Sequence, residues 1–196
     1  MPLSGGTGMI SGMTDDAFWQ LISRTTEQAG DRDEQSEWLA EELTRLPVAE
    51  VVDFARRLAE VRRRADTWTM WAAAHLIEEG CSGDGFCYFQ LWLLTLGREV
   101  FDRAVADPDS LAEVPGVRGL AARPMREWSD QDWPEWESLD FAAHEAHQEV
   151  TGRELAVPVA REGRAADAEW DIEDEEQVRA RLPRLWALFS ARDARA

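Results

Sequence analysis

From Gly80 to Phe101 the chain reads GCSGDGFCYFQLWLLTLGREVF, which brings two cysteines, an aspartate between two glycines, a tryptophan and an arginine into 22 residues. Cys81, Asp84 and Arg98, with His75 just upstream, are the side chains there that could take part in a reaction. An exposed thiol at a helix start is drawn toward the thiolate, so Cys81 is a candidate nucleophile with a histidine as its base. Trp71, Asp84, Trp92 and Arg98 are the candidate lining of a small-ligand cleft, the arginine anchoring an anion. The same residues also read as structure. Gly80 suits the left-handed end of one helix, Asp84 suits the N-cap of the next, and Cys87 suits a small buried hydrophobe. A metal needs three or four ligands at workable spacing. His75, Cys81, Asp84 and Cys87 share no standard spacing, so neither a metal nor another cofactor is expected.

Three further groups carry charge or ligand chemistry. His144 and His147 in HEAH lie three apart, not at the four-residue spacing of a zinc protease helix, and read as a surface or half-buried pair. Arg56, Arg57, Arg62, Arg63 and Arg64 lie on one helix, where Glu60 is four residues from both Arg56 and Arg64. That stripe reads as a solvated or ion-paired face, or as a docking patch for an acidic ligand. Residues 127–176 hold 17 Asp and Glu against three arginines, with Trp128, Trp133 and Trp136 among them. The densest run, EWDIEDEE, supplies Asp171, Glu173, Asp174 and Glu175. With Trp133 and Trp136 these are the candidate contacts for a protein or basic-peptide partner. Alternatively, the tryptophans anchor an irregular segment to the core.

The whole-chain balance supports such a partner. All 21 basic residues are arginine, and the net charge is −18. That charge argues against nucleic acid or an anionic membrane, both of which need basic surface. It also fits plain solubility. Two cysteines make no disulfide framework, and no apolar run approaches a membrane span. A cytoplasmic, reduced setting is the expectation. A chain of 196 residues with 44% apolar content fits one domain that buries roughly 70% of its unfolded surface.

These residues must be held by helices. Residues 1–13 lack signal-peptide features and read as a flexible leader. Thr14 caps a first helix with Phe18, Leu21, Ile22 and Thr25 inward, and Gly30 stops it. The second runs from about Asp31 to Leu46, and the third follows Pro47 to about Ala65. The fourth starts near Asp66 or Thr67 and ends at Gly80. The fifth, from about Asp84 to Leu96, is apolar all round and therefore central. Gly97 breaks it from a sixth over Arg98 to Ala106, followed by a short helix ending by Pro115. Residues 116–134 have turn chemistry. Pro134 begins a helix to Gly152, residues 153–172 read as an irregular acidic segment, and a last helix over Glu173 to Ala191 is kinked or split at Pro183. The expectation is an all-α, compact single-domain array of seven to nine helices over residues 14–192, without strands and without a coiled-coil heptad.

The stretch WTMWAAAHLIEEGCSGDGFCYFQLWLLTLGREVFDRAVADPDSLAEV resembles the core of a bacterial domain-of-unknown-function family, DUF4240. MTDDAFWQLI upstream, DFAAHEAHQEVTG downstream and LPRLWALF near the end extend the resemblance over roughly residues 13–190. The family pattern falls on Trp71, Gly80, Cys81, Asp84, Phe86, Phe89, Trp92, Gly97, Arg98 and Phe101. Gly83 stands where the family usually has an acid, and His75 and His147 stand where tyrosine is common. The resemblance implies a shared corner and no named reaction.

Two functions follow. The first is a non-enzymatic interaction or regulatory protein that works through an acidic, tryptophan-containing surface. The second is an enzyme or small-ligand binder with a cleft around Gly80–Arg98. An enzyme needs Cys81 or a histidine, Asp84, Arg98 and the tryptophans to converge on one cavity.

Overall fold

The computed structural model describes residues 12–156 and 167–193. Among them are ten α-helices, four short 3-10 helices and no strand. The chain is all-α, with more helices than the seven to nine expected. The α-helices are α1 (Asp15–Thr26), α2 (Arg32–Thr44), α3 (Val48–Arg64), α4 (Trp68–Ile77), α5 (Gly83–Trp92), α6 (Arg98–Ala106), α7 (Pro115–Ala121), α8 (Ala142–Thr151), α9 (Glu175–Arg181) and α10 (Pro183–Asp193).

Local signals start most of these helices. The Thr14 hydroxyl accepts from the Ala17 amide, and Thr67 does the same for Met70. Asp31 and Glu34 close a capping box on α2, each side chain holding the other's backbone amide. α5 tightens into a 3-10 turn over Leu93–Leu96 before Gly97, whose φ of 83° admits the break ahead of α6. Pro183 splits the last helical stretch into α9 and α10.

Other helices depart from expectation. α7 occupies part of 116–134, where turn chemistry was expected. Its first residue is Pro115, which suits a first turn because it has no amide to leave unpaired. The helix placed from Pro134 is shorter: a 3-10 turn at Ser138–Asp140 leads into α8, and Trp133 to Glu137 run irregularly across α2. α9 starts at Glu175 rather than Glu173, because Asp174 accepts from the Glu176 and Gln177 amides and fixes the start there.

α2 and α3 pack on α8, α1 lies against α2 and α3, and α10 packs on α4, α7 and α9. Phe18, Phe54, Phe89, Phe101 and Phe189 are all at most 2% exposed in one connected apolar core. Residues 1–11 of the expected leader and residues 157–166 of the expected acidic segment lie outside the described residues. Met13, assigned to the leader, is buried in the core. No helix among the described residues is long and apolar enough to cross a membrane.

Candidate functional site

α4 ends in a tight reversal. Glu79 takes the left-handed position (φ 53°), Gly80 follows at φ 132°, and the Gly80 amide returns to the His75 carbonyl at 2.9 Å. Gly80 takes a positive φ as expected, and Glu79, one position earlier, takes one as well. Ser82, not Asp84, is the N-cap of α5: its hydroxyl accepts from the Gly85 amide, and Asp84 sits exposed in the first turn. Serine and aspartate both suit a cap, and the helix starts early enough to use the serine.

Two side chains one turn apart on α4 hold the reversal. Trp71 Nε1 donates to the Cys81 carbonyl at 3.0 Å, and the Cys81 amide donates to His75 Nδ1 at 3.2 Å. His75 thus grips the Cys81 backbone through Nδ1. The thiol is pushed well above its ordinary range, by burial first and then by the Glu78 and Glu135 carboxyls. Burial thus moves Cys81 away from the low-pKa thiolate expected at an exposed helix start. Glu78 is 6% exposed, its Oε1 meets no hydrogen-bond partner among the described residues, and its carboxyl is pushed up to about 8 by desolvation.

The remaining candidates do not converge. Trp92 is buried against Phe89, ring centroids 5.3 Å apart. Arg98 pairs with Asp16 at 2.7 Å and lines a different cleft, with Trp19 and Leu96. The arginine stripe on α3 is largely ion-paired. Arg62 is buried beside Asp140, Arg56 meets Asp53, Arg64 meets Asp102, and Glu60 faces Arg57 rather than Arg56 or Arg64. His147 Nδ1 lies 2.9 Å from the Arg153 carbonyl. No group of three or more His, Cys, Asp or Glu among the described residues is arranged to hold a metal.

Trp136 is 1% exposed and cannot meet a partner. Its Nε1 donates to the Arg32 carbonyl and to Ser36 Oγ, while the Arg32 guanidinium donates to the carbonyls of Gln131, Trp133 and Glu135. Trp133 packs edge-on against Trp128, centroids 5.2 Å apart. Trp136 thus anchors the irregular segment to α2, which corrects the partner-contact reading for Trp136, whereas half-buried Trp133 lines a cleft with Arg32 and Glu135.

The acidic run near 170 behaves differently. Asp167 accepts from the Trp68 amide at 2.7 Å, the Thr69 amide at 3.0 Å and the Thr69 hydroxyl at 2.7 Å. A carboxylate on unpaired amides at the positive end of a helix is a favoured arrangement. It fixes the run along α4 and creates a cleft of about 560 Å³ lined by Trp68, Trp71, His75, Cys81, Trp170 and Ile172, with Glu169, Asp171 and Glu173. Trp68 and Trp71 lie 5.4 Å apart with their planes tilted 33°. Trp170 is 9% exposed, its Nε1 has no acceptor among the described residues, and the Arg181 guanidinium lies 4.6 Å over its ring.

A second cleft of about 390 Å³ adjoins through His75, Ile172 and Glu173. Ala72, Leu76, Val178, Trp186 and Phe189 form its apolar floor, and Glu79 and Glu175 stand at its edge. The two clefts together expose Glu79, Glu169, Asp171, Glu173 and Glu175, and among the described residues the nearest guanidinium on their walls is Arg181, over the Trp170 ring. Of the acids expected to meet a partner, Asp171, Glu173 and Glu175 line this groove, whereas Asp174 caps α9. Trp68, Trp170 and Trp186 were not among the expected contacts. The clue was that a tryptophan lies inside EWDIEDEE itself.

The chain belongs to the DUF4240 family, described as a protein of unknown function, whose model matches residues 13–149. That match takes in α4 and the Gly80–Arg98 corner and stops before the acidic run at 167–176. No curated protein and no solved structure matches the chain.

Proposed function

We propose that this DUF4240 protein is a non-enzymatic interaction protein that receives a basic segment of another protein in the groove between α4 and residues 167–190. One observation carries the reading. Asp167 docks the acidic run onto α4, so that five exposed carboxylates line adjoining clefts with tryptophan walls. Carboxylates attract a cation into the groove, and indole faces hold it by cation–π contact. The same field repels phosphates and anionic lipids. An enzyme at the Gly80–Arg98 corner has less support, because Arg98 and Cys81 line different clefts, Trp92 is buried, and burial pushes the Cys81 thiol up.

The test is fluorescence anisotropy with labelled peptides of equal length, one rich in arginine and one rich in glutamate. The arginine peptide is expected to bind the native chain and to lose about tenfold in affinity toward a Glu169→Gln/Glu173→Gln variant. Equal affinity for both peptides, or no effect of the double variant, overturns the reading.

A further inference from the structure

We infer that His75 is a proton-operated gate on the groove: when its imidazole takes up a proton, the groove loses its hold on a basic partner. The inference rests on the reading above and adds the regulation of that site.

His75 stands where the two clefts meet, since it lines both, and among the described residues no other histidine lines either. It is half-buried on the last turn of α4. Its contact with the Cys81 amide at 3.2 Å fixes which ring nitrogen carries the proton. An Nδ1 that accepts an N–H holds no proton of its own, so the neutral ring keeps its proton on Nε2. A second proton has only Nδ1 to go to, and an imidazolium offers donors and no acceptor. Protonation therefore takes the acceptor away from the Cys81 amide. That bond is one of two that hold the reversal after α4, the other running from Trp71 Nε1 to the Cys81 carbonyl at 3.0 Å. Cys81 lies in the wall of the larger cleft, so releasing its amide loosens that wall.

The charge that the proton brings acts in the same direction. The titratable groups that face His75 across the two clefts are Glu79 after α4, Cys81 of the reversal, Glu169, Asp171 and Glu173 of the acidic run, and Glu175 at the start of α9. Buried Glu78 lies three residues on, beside Cys81 and Glu135, and Arg181 stands over the Trp170 ring. An imidazolium among these carboxylates offsets part of the field that draws a cation in, and it repels the cation directly. Imidazole is the side chain whose charge changes between about pH 5 and 8, so the gate works over a range in which exposed carboxylates stay ionised.

Two measurements test the gate. Long-range proton–nitrogen NMR on the native chain reads the His75 imidazole, assigned against a His75→Asn variant, and the Cys81 amide from pH 7.5 to pH 5.5. The expected result is a proton on Nε2 alone at pH 7.5, and a Cys81 amide signal that moves as the ring gains its second proton. Fluorescence anisotropy with the arginine-rich peptide at fixed salt should then show the native chain losing about tenfold in affinity over that range. The His75→Asn chain keeps an acceptor for the amide, cannot take up the proton, and should lose less than about twofold. A proton on Nδ1 at pH 7.5, or equal losses in the two chains, overturns the gate. Undiminished native affinity at pH 5.5 overturns the gate and leaves the interaction reading standing. If the peptide binds at neither pH, both fall.

Discussion

Asp167 accepts hydrogen bonds from the amides of Trp68 and Thr69, which lie 99 and 98 residues earlier in the chain, at 2.7 and 3.0 Å. This contact joins the acidic run to α4, and the groove depends on it. Replacing the carboxylate should therefore cost stability and binding together. Asp167→Ala is expected to lower stability by about 1–2 kcal/mol in urea unfolding, while Asp167→Asn, which keeps an acceptor, loses less. An Asp167→Ala chain with unchanged stability and unchanged affinity for arginine peptides would separate the contact from the groove.

Arg32 is the corresponding clasp on the opposite stretch. Its guanidinium donates to the carbonyls of Gln131, Trp133 and Glu135 and holds the irregular segment across α2. Arg32→Ala should destabilise by about 2–3 kcal/mol, because several partly buried carbonyls lose their donor. Arg32→Lys should recover only part of this, since an ammonium lacks the planar fork. Binding of a basic peptide by the folded fraction should stay unchanged. A loss of affinity there would place the partner surface at Trp133 after all.

Several helix starts were legible from local signals. Thr14 caps α1, Thr67, one of two residues expected to open α4, caps it, and Gly97 and Pro183 break the chain where they stand. Asp84 misled because Ser82, two residues earlier, is as good a cap. Trp136 misled because the Arg32 carbonyl and the Ser36 hydroxyl that fix it lie about 100 residues away. A similar distance hid Asp167 on α4, and a separation of 75 and 76 residues hid buried Asp109, whose carboxylate accepts from the Arg184 and Leu185 amides and caps α10. Composition marked the acidic run as a candidate partner surface, with Trp170 inside it. Only long-range contact brings Trp68 and Trp186 beside it.

Glu78 gives the molecule a stability that depends on pH. Burial pushes its carboxyl up to about 8, Glu135 adds to the shift, and a Cys81 hydrogen bond opposes it. The folded chain thus binds this proton more tightly than the unfolded chain, whose carboxyl titrates near 4.5. Its contribution is fully present below about pH 4.5 and is lost as pH rises through about 8. Urea midpoints should fall over that range, and Glu78→Gln should flatten this part of the profile. A native profile that rises steadily from pH 5 to 8, with Glu78→Gln unchanged, would contradict the assignment.

Cys81 should be a poor nucleophile. In a Cys87→Ser background, alkylation by iodoacetamide at pH 8 is expected to run about tenfold or more below that of a free cysteine. The cause is burial, reinforced by Glu78 and Glu135, which keeps the thiol protonated. Alkylation faster than the free amino acid would return Cys81 to the list of reactive groups and revive the enzymatic reading.

The location of binding is the central claim, and hydrogen exchange read by mass spectrometry tests it most directly. The native chain would be compared with and without a saturating arginine-rich peptide. The account predicts added protection in residues 68–79 and 167–190, the two walls of the groove, and none in 98–106 or 131–137. Protection centred on the Gly80–Arg98 corner or on the Trp133 segment, with the groove unchanged, would contradict it.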